Sequence, residues 1–477
     1  MNAEDFADSV PDAAAEAAEA PRESDSLDDE NRLKTDFVRR VQDALDAGES
    51  DAVYDMVEPL HPADIADLFE LVEPDRRLPL ARAINDQMSV EVFAELNGYV
   101  REQLVEAFPA GTIADIAEQL DTDDAVAMIE DLDEAEQQAV LAELEPEDRA
   151  AIETALSYPE ETAGRLMSRD FVAVPEHMTV GGLIDFLREG RRLATEFWEV
   201  FIVDARHHPV GTCALSWILR SPRGIALADV MKRDQTLIPV AMDQEEVALR
   251  FQKYALISAA VVDDDGRLVG QITVDDIVHI IQEEASEDIL RLSGAGDGDI
   301  NEPIILTVRS RLTWLVVNLG TAIVASSVVG LFQFAIAKLA LLAVLMPIVS
   351  GMGGNAGTQT LAVVVRAIAT NQLTSSNTWR MIGRELRIAL ANGASLGLLI
   401  GSGAALLFAN PLLGLVLGLA MVINNFTAGL AGILVPVTLD RLKVDPAVSS
   451  AVFVTTATDV MGFFSFLGLA VLSGLAG

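Results

Sequence analysis

The chain has almost none of the residues on which thiol, imidazole or zinc chemistry rests. One cysteine, Cys213, excludes an internal disulfide and reads as core in a strand. The five histidines, His61, His177, His207, His208 and His279, show no ligand spacing, and His207–His208 reads as turn. Nothing resembles a catalytic triad or a zinc-water motif. No GxxxxGK[ST] phosphate loop is present, so no fuel-driven motor is expected. Bases are few: 33 Lys and Arg face 73 Asp and Glu, a net charge of -40, which speaks against a nucleic-acid partner. Yet 51% of the residues are hydrophobic.

The scarcity of charge is uneven. From Pro303 onward there are only four acids (Glu385, Asp440, Asp445, Asp459) and nine bases. Residues 1–302 hold the other 69 acids and 24 bases. A very acidic soluble half therefore precedes an apolar, slightly basic half, and the length suggests about three domains. The N-terminus, MNAEDFADSVPDAAAEAAEA, has no signal-peptide pattern, so the soluble half is expected in the cytosol.

Residues 1–33 are low-complexity and acidic, expected to be disordered. Next, Leu60, Val72, Ile84, Leu96, Phe108, Leu120, Leu132, Leu144 and Leu156 recur every 12 residues, each followed by a polar or turn residue. Segments such as IADLFELV carry helical spacing between them. This predicts an all-α superhelical N-domain of short stacked helices over 34–160. Two similar segments follow over 161–282. Met167 pairs with Met231, Asp204 with Asp263 and Gly211 with Gly270, and DARHHPVG and DDDGRLVG carry hairpin chemistry. Each copy reads strand, helix, strand, turn, strand, helix. Residues 283–302 read as an amphipathic connecting helix ending at glycine.

Residues 303–477 predict a five-helix transmembrane domain, with spans near 312–336, 339–365, 388–409, 411–437 and 449–475. With the N-terminus inside, Arg309, Arg311, Arg366, Arg380, Arg384, Arg387, Arg441 and Lys443 fall on the cytoplasmic side, against Lys338 outside. The C-terminus then lies outside.

Two spans carry chemistry. The second reads PIVSGMGGNAGTQTLAVVVRAIA, with Gly351, Gly353, Gly354 and Gly357 among polar residues. The glycines serve close helix packing, or they accompany a polar, water-facing stripe. Asn355 and Gln359 are four apart and share a face. The fifth, TTATDVMGFFSFLG, holds Asp459, the lone charge after Ala447. A charge at mid-bilayer costs at least about 2.5–3.5 kcal/mol, so Asp459 is expected to face water or a partner, or to bond Thr455 or Thr456.

These span motifs, with VDPAVSSAVFVTTATDVMGFFSFLG and the domain order, resemble the MgtE family of magnesium channels over nearly the whole chain beyond residue 33. The two α/β copies resemble a tandem CBS pair, on VVD-x-x-G-x-L-x-G and its following T-x-x-D. The resemblance implies a homodimer in a bacterial inner membrane. Its pore lies between the two transmembrane domains of the dimer, lined mainly by the second and fifth spans, with Gly354, Asn355, Thr358 and Gln359 as lining. Two Asp459 carboxylates would bind hydrated Mg²⁺, which keeps its waters.

It further implies regulation by cytosolic Mg²⁺ at Asp243, Glu245, Asp276, Glu284, Glu287, Asp288 and Asp445, and at Asp123 and Asp124. Ala127 and Ala255 replace family acids, so fewer or weaker sensor sites are expected. CBS pairs often bind adenosine nucleotides, so ATP is also implied, with Asp275 or Asp276 of ITVDD toward the ribose; ALSWIL in the first copy lacks that acid. The rivals are a carrier for Co²⁺ or Mn²⁺ and a membrane-anchored nucleotide sensor. An aspartic protease would need a second membrane-embedded Asp.

Overall fold

The computed structural model describes residues 26–84, 87–130, 132–189, 197–294, 298, 300–374 and 376–476, with all their side chains except those of Asp288, Val448 and Ser449. The chain divides into two compact units, Met1–Val278 and His279–Gly477.

The first unit opens with a correction. Residues 26–33 belong to the segment expected to be disordered, but they form a turn. Asp28 Oδ1 accepts from the Glu30 and Arg32 N–H groups at 2.8 and 2.9 Å, and these bonds hold its carboxyl below the usual carboxylate range. Leu27 pairs with Leu33, and both pack on the helical core. Two leucines among acids suffice to tie the segment down. Residues 1–25 lie outside the described residues.

Ten helices follow among the described residues: α1 (Thr35–Ala47), α2 (Ser50–Val57), α3 (Pro62–Leu71), α4 (Pro74–Ala83), α5 (Val90–Glu95), α6 (Gly98–Val105), α7 (Ala110–Ala117), α8 (Thr122–Glu130), α9 (Glu134–Glu143) and α10 (Pro146–Leu156). The 12-residue period marks their joints. Val72 and Leu144 are extended residues that end α3 and α9, and Glu73 and Glu145, each before a proline, start α4 and α10. Val72, Ile84, Leu96, Leu132 and Leu144 are buried, so one apolar residue per joint plugs the core.

The α/β copies form two three-stranded sheets. The first contains β1 (Ala173–Pro175), β2 (Glu199–Val203) and β3 (Pro209–Ala214); the second contains β4 (Leu237–Pro239), β5 (Ser258–Val262) and β6 (Leu268–Thr273). In each, the first pair is parallel and the second a hairpin. The hairpin turns use His207 (φ 68°) and Gly266 (φ 78°) at the left-handed position. Short helices α11 (Ala163–Leu166), α12 (Val180–Glu189), α13 (Leu215–Arg220), α14 (Leu227–Val230) and α15 (Gln244–Tyr254) complete the module. Cys213 is buried in β3, and that burial raises its thiol pKa.

The paired methionines and glycines interlock the copies. Ser168 bridges to Gln271, and Lys232 to Thr212, so the start of each copy adds to the hairpin of the other. A methyl on Gly270 would lie 2.6 Å from Met167 Sδ and 2.9 Å from the Ser168 carbonyl. On Gly211 it would lie 2.8 Å from Met231 Sδ. Gly270→Ala is expected to cost about 1–3 kcal/mol through overpacking against backbone, read as a lower urea midpoint of this unit.

Helix α16 runs unbroken from Val274 to Ser293. The sequence carries no Gly or Pro in that interval, so the end of the second CBS copy and the predicted connecting helix are one helix. The division between the units falls inside it.

In the second unit five helices are long and apolar enough to cross a membrane: α17 (Ile304–Leu331), α19 (Leu341–Ala369), α20 (Thr378–Leu407), α21 (Pro411–Arg441) and α22 (Pro446–Leu472); the short α18 (Gln333–Lys338) follows α17. The protein is therefore multi-pass. Helix α21 is the most buried, and its Leu417, Ala420 and Met421 pack with Val349 of α19 and Phe466 of α22. Helices α20 and α21 meet through glycine: a methyl on Gly414 would collide with the Gly401 carbonyl oxygen.

Candidate functional site

Asp459 stands at the middle of α22 and is half-buried. Its Oδ1 accepts a hydrogen bond from Ser350 Oγ of α19, which joins the second and fifth spans. The alternative of a local bond to Thr455 or Thr456 is not what forms. Thr456 Oγ1 donates instead to the Val452 carbonyl at 2.6 Å.

The four glycines of α19 divide between two jobs. Gly353 and Gly357 are buried against α21 and α22, where an added methyl would collide with Asn424 Nδ2 at the first and lie 2.6 Å from Val454 Cγ1 at the second. Gly351 and Gly354 have open space at the Cβ position. Asn355, Thr358 and Gln359 are exposed. At about 100° per residue, Gly354 and Thr358 lie within about 80° of Ser350, on the side of Asp459. Gln359 lies about 180° away, and it lines a separate 220 Å³ cavity with Glu385, Asn392 and Asn425. The expected lining residues thus occupy an arc of α19 rather than one line.

Sequence reasoning missed Asn424. It is fully buried in α21, its Nδ2 donates to the Val349 carbonyl at 2.8 Å, and its side chain lies against Gly353 and Gly462. It ties three spans together one turn from the Ser350–Asp459 pair. The only sequence signal is the dipeptide Asn424–Asn425 inside an apolar run.

In the first unit, α8 presents Asp123 and Asp124 in its first turn. Asp170 holds that end: its Oδ2 accepts from Thr122 N–H and Oγ1 at 3.3 and 3.2 Å. Asp276, whose Oδ2 accepts from Thr273 Oγ1 at 2.7 Å, faces the same place. Asp123 Oδ1 is buried with no partner. Burial, then the charges of Asp276 and Asp124, push the Asp123 carboxyl well up. Burial, then Asp276 and Asp121, push Asp124 up to about 6.

Half-buried, mutually repelling carboxylates with an orphaned oxygen fit a divalent cation. Among the described residues no three acid, His or Cys side chains converge at ligand geometry. Asp243 caps α15, accepting from the Glu245 N–H at 3.0 Å, and pairs with Thr162.

In the second unit, Glu284, Glu287 and Arg291 share one face of α16. Arg291 bonds Glu287 and donates from Nη1 to Asp445 Oδ2 at 2.6 Å. Asp445 is also the N-cap of α22, accepting from the Ala447 N–H at 2.7 Å. Leu292 packs on Leu361 and Val365 of α19 and Ala447 and Val454 of α22. The end of α16 thus rests on the two spans that Ser350 and Asp459 join. The side chain of Asp288 lies outside the described ones. In the CBS module a polar cleft of 100 Å³ is lined by Lys232, Thr236 and Ser258 among others.

Comparison with known proteins shows the family. Residues 346–469 match the family model of a divalent cation transporter, 60–161 that of the MgtE intracellular N domain, and 227–283 that of the CBS domain. The magnesium transporter MgtE of Thermus thermophilus is 31% identical over 437 residues, 90% of this chain and 97% of the relative. That of Bacillus subtilis is 29% identical over 446 residues, 92% of this chain and 98% of the relative. A crystal structure of the cytosolic domain of the Mg²⁺ channel MgtE in complex with ATP is 28% identical, with a TM-score of 0.47, covering 51% of this chain and 99% of that one. By the extent of this similarity, the chain belongs to the MgtE family of magnesium transporters.

Proposed function

We propose that this protein is a Mg²⁺-selective channel that admits the ion passively and closes when cytosolic Mg²⁺ is plentiful. The carrying observation is Asp459: one carboxylate at the midpoint of an apolar span, tied to the second span and half-open. In a homodimer two such carboxylates flank a path for a hydrated divalent ion. An inside-negative potential supplies roughly 4.6 kcal/mol per 100 mV for a divalent ion, so no fuel is needed. The N-terminal half is cytoplasmic in this reading and the membrane is the bacterial inner one.

The acid groups supply the regulation. Mg²⁺ bridges Asp123, Asp124 and Asp276, and further ions engage Asp243, Glu245, Glu284, Glu287, Asp288 and Asp445. The end of α16, resting on α19 and α22, carries the result to the pore-lining helices. Arg291 is part of this device, because a fixed cation already joins Glu287 to Asp445. Arg291→Gln removes the cation that joins Glu287 to Asp445, so it is expected to raise current severalfold at zero internal Mg²⁺ and to restore closure when Mg²⁺ is added. Unchanged current at zero Mg²⁺ sinks this role.

ATP at the CBS pair is a second proposed ligand, with Asp275 or Asp276 toward the ribose. ATP-dependent protection from hydrogen exchange in the CBS pair, lost in Asp275→Ala or Asp276→Ala, would report it.

Mg²⁺ flux into liposomes at varied internal Mg²⁺ tests the whole reading. Step-like single-channel currents support a pore, whereas slow saturable exchange of Co²⁺ or Mn²⁺ supports a carrier.

A further inference from the structure

Three arginines of the membrane unit converge. Arg366, in the last turn of α19, and Arg380 and Arg384, near the start of α20, line one cavity of about 570 Å³. That volume falls within the range of small-molecule sites, about 300–1,000 Å³. No acid lines it. Arg384 Nη1 donates to the buried Glu385 at 2.8 Å, but among the described residues no carboxylate pairs with Arg366 or Arg380.

Ordinary helix electrostatics explains only one of the three. A cation in the last turn of α19 suits that helix's negative end, which accounts for Arg366. Arg380 sits in the first turn of α20, at its positive end, where added positive charge is unfavourable, while Arg384, one turn further on, is paired with Glu385. The excess of arginine on one side of a membrane fixes orientation, but it does not require the side chains to share a cavity. An anion resolves both points. Guanidinium forks match phosphate oxygens, and the N-terminus of the 30-residue helix α20, at Asn377, opens on the same cavity.

The surroundings say which kind of phosphate. The cavity lies between two membrane-spanning helices, and Val363 and Met381 give it an apolar wall. Trp379, beside Arg380, is 82% exposed, as expected of an aromatic at headgroup level. Basic pockets between spans commonly hold anionic headgroups. We propose that this cavity binds the phosphate headgroup of an anionic phospholipid, with Arg366 and Arg380 as its principal contacts.

The test uses full-length protein in detergent, stripped of lipid, and native mass spectrometry. The probes are dioleoyl phosphatidylglycerol, dioleoyl phosphatidylcholine and inorganic phosphate. Wild type is expected to retain phosphatidylglycerol at concentrations where phosphatidylcholine is lost. Arg366→Gln with Arg380→Gln is expected to bind phosphatidylglycerol roughly 25-fold more weakly, about fivefold per arginine. Arg387→Gln is expected to keep wild-type binding, because Arg387 does not line the cavity and donates to the Gly383 carbonyl at 2.8 Å. The single variant Arg380→Gln, expected to bind phosphatidylglycerol about fivefold more weakly, stands in if the double variant fails to fold, and unchanged binding by it likewise overturns the proposal. Equal retention of the two lipids, or an unchanged double variant, overturns the proposal. So does inorganic phosphate that displaces phosphatidylglycerol and depends on the same arginines, since the site would then belong to a soluble anion.

Discussion

Asp459→Ala is expected to bring Mg²⁺ flux in liposomes down to that of protein-free vesicles, with size-exclusion behaviour unchanged. A divalent ion about 5 Å from a carboxylate, across one water, gains of order 7 kcal/mol before its own desolvation, at an effective dielectric of about 20. Even a fraction of this amounts to orders of magnitude in occupancy of the path. The helix itself should tolerate the change, because removing a mid-span charge relieves about 2.5–3.5 kcal/mol of insertion cost. Ser350→Ala separates charge from position. It removes the hydrogen bond but keeps the carboxylate, so flux should fall by tenfold or less. Wild-type flux through Asp459→Ala would refute the pore reading, and a Ser350→Ala protein as dead as Asp459→Ala would make the α19–α22 tie, rather than the charge, the essential element.

The second large effect lies in the soluble unit and is read by pH. Asp124 holds its proton up to about pH 6 in the folded chain, against 3.8 for an ordinary carboxyl. Asp123 is shifted the same way. A raised acid pKa stabilises the arrangement most at low pH, and that stability is lost as pH rises from 3.8 to about 6. Without divalent ions, the contact of α8 with the start of α16 should therefore loosen across this window. Mg²⁺ replaces the missing protons, so it should raise the thermal midpoint at about pH 7.5 and do little at about pH 5. Asp276→Asn should stabilise the ion-free unit at about pH 7.5, by about 2–4 °C per kcal/mol of repulsion relieved, and shrink the Mg²⁺ response. A Mg²⁺ effect of equal size at both pH values would argue against these carboxylates as the bridge.

Elements whose boundaries are written in local chemistry are legible in the sequence alone. The joints of the helical unit follow from an apolar plug and a turn residue every 12 positions. The two sheets follow from repeated hairpin turns, and the five spans from length and hydropathy, although α17 and α20 begin eight and ten residues before the expected starts at 312 and 388. Asp459 stands out because nothing else near it is charged.

What the sequence hides depends on residues far apart in the chain. Ser350 has no local signature, and its partner lies 109 positions away. Asn424 matters only because Gly353 and Gly462 let two other helices close on it. Arg291 is four residues from Glu287, a spacing visible in sequence, but Asp445 is 154 positions on. The turn at 26–33 is masked by acidic composition, although two leucines decide it.

The exchange of edges between the two CBS copies also sets the smallest piece that can stand alone. Residues 231–232 complete the first hairpin and 167–168 complete the second, so neither copy carries its own last neighbour. A fragment holding only one copy would present a bare sheet edge beside an unfilled groove at Gly270. Its natural remedy is a second molecule of itself, trading Met231–Lys232 for the missing Met167–Ser168 and forming a swapped dimer. Tandem duplication thus supplies within one chain the edge that a single copy would have to borrow from a second molecule.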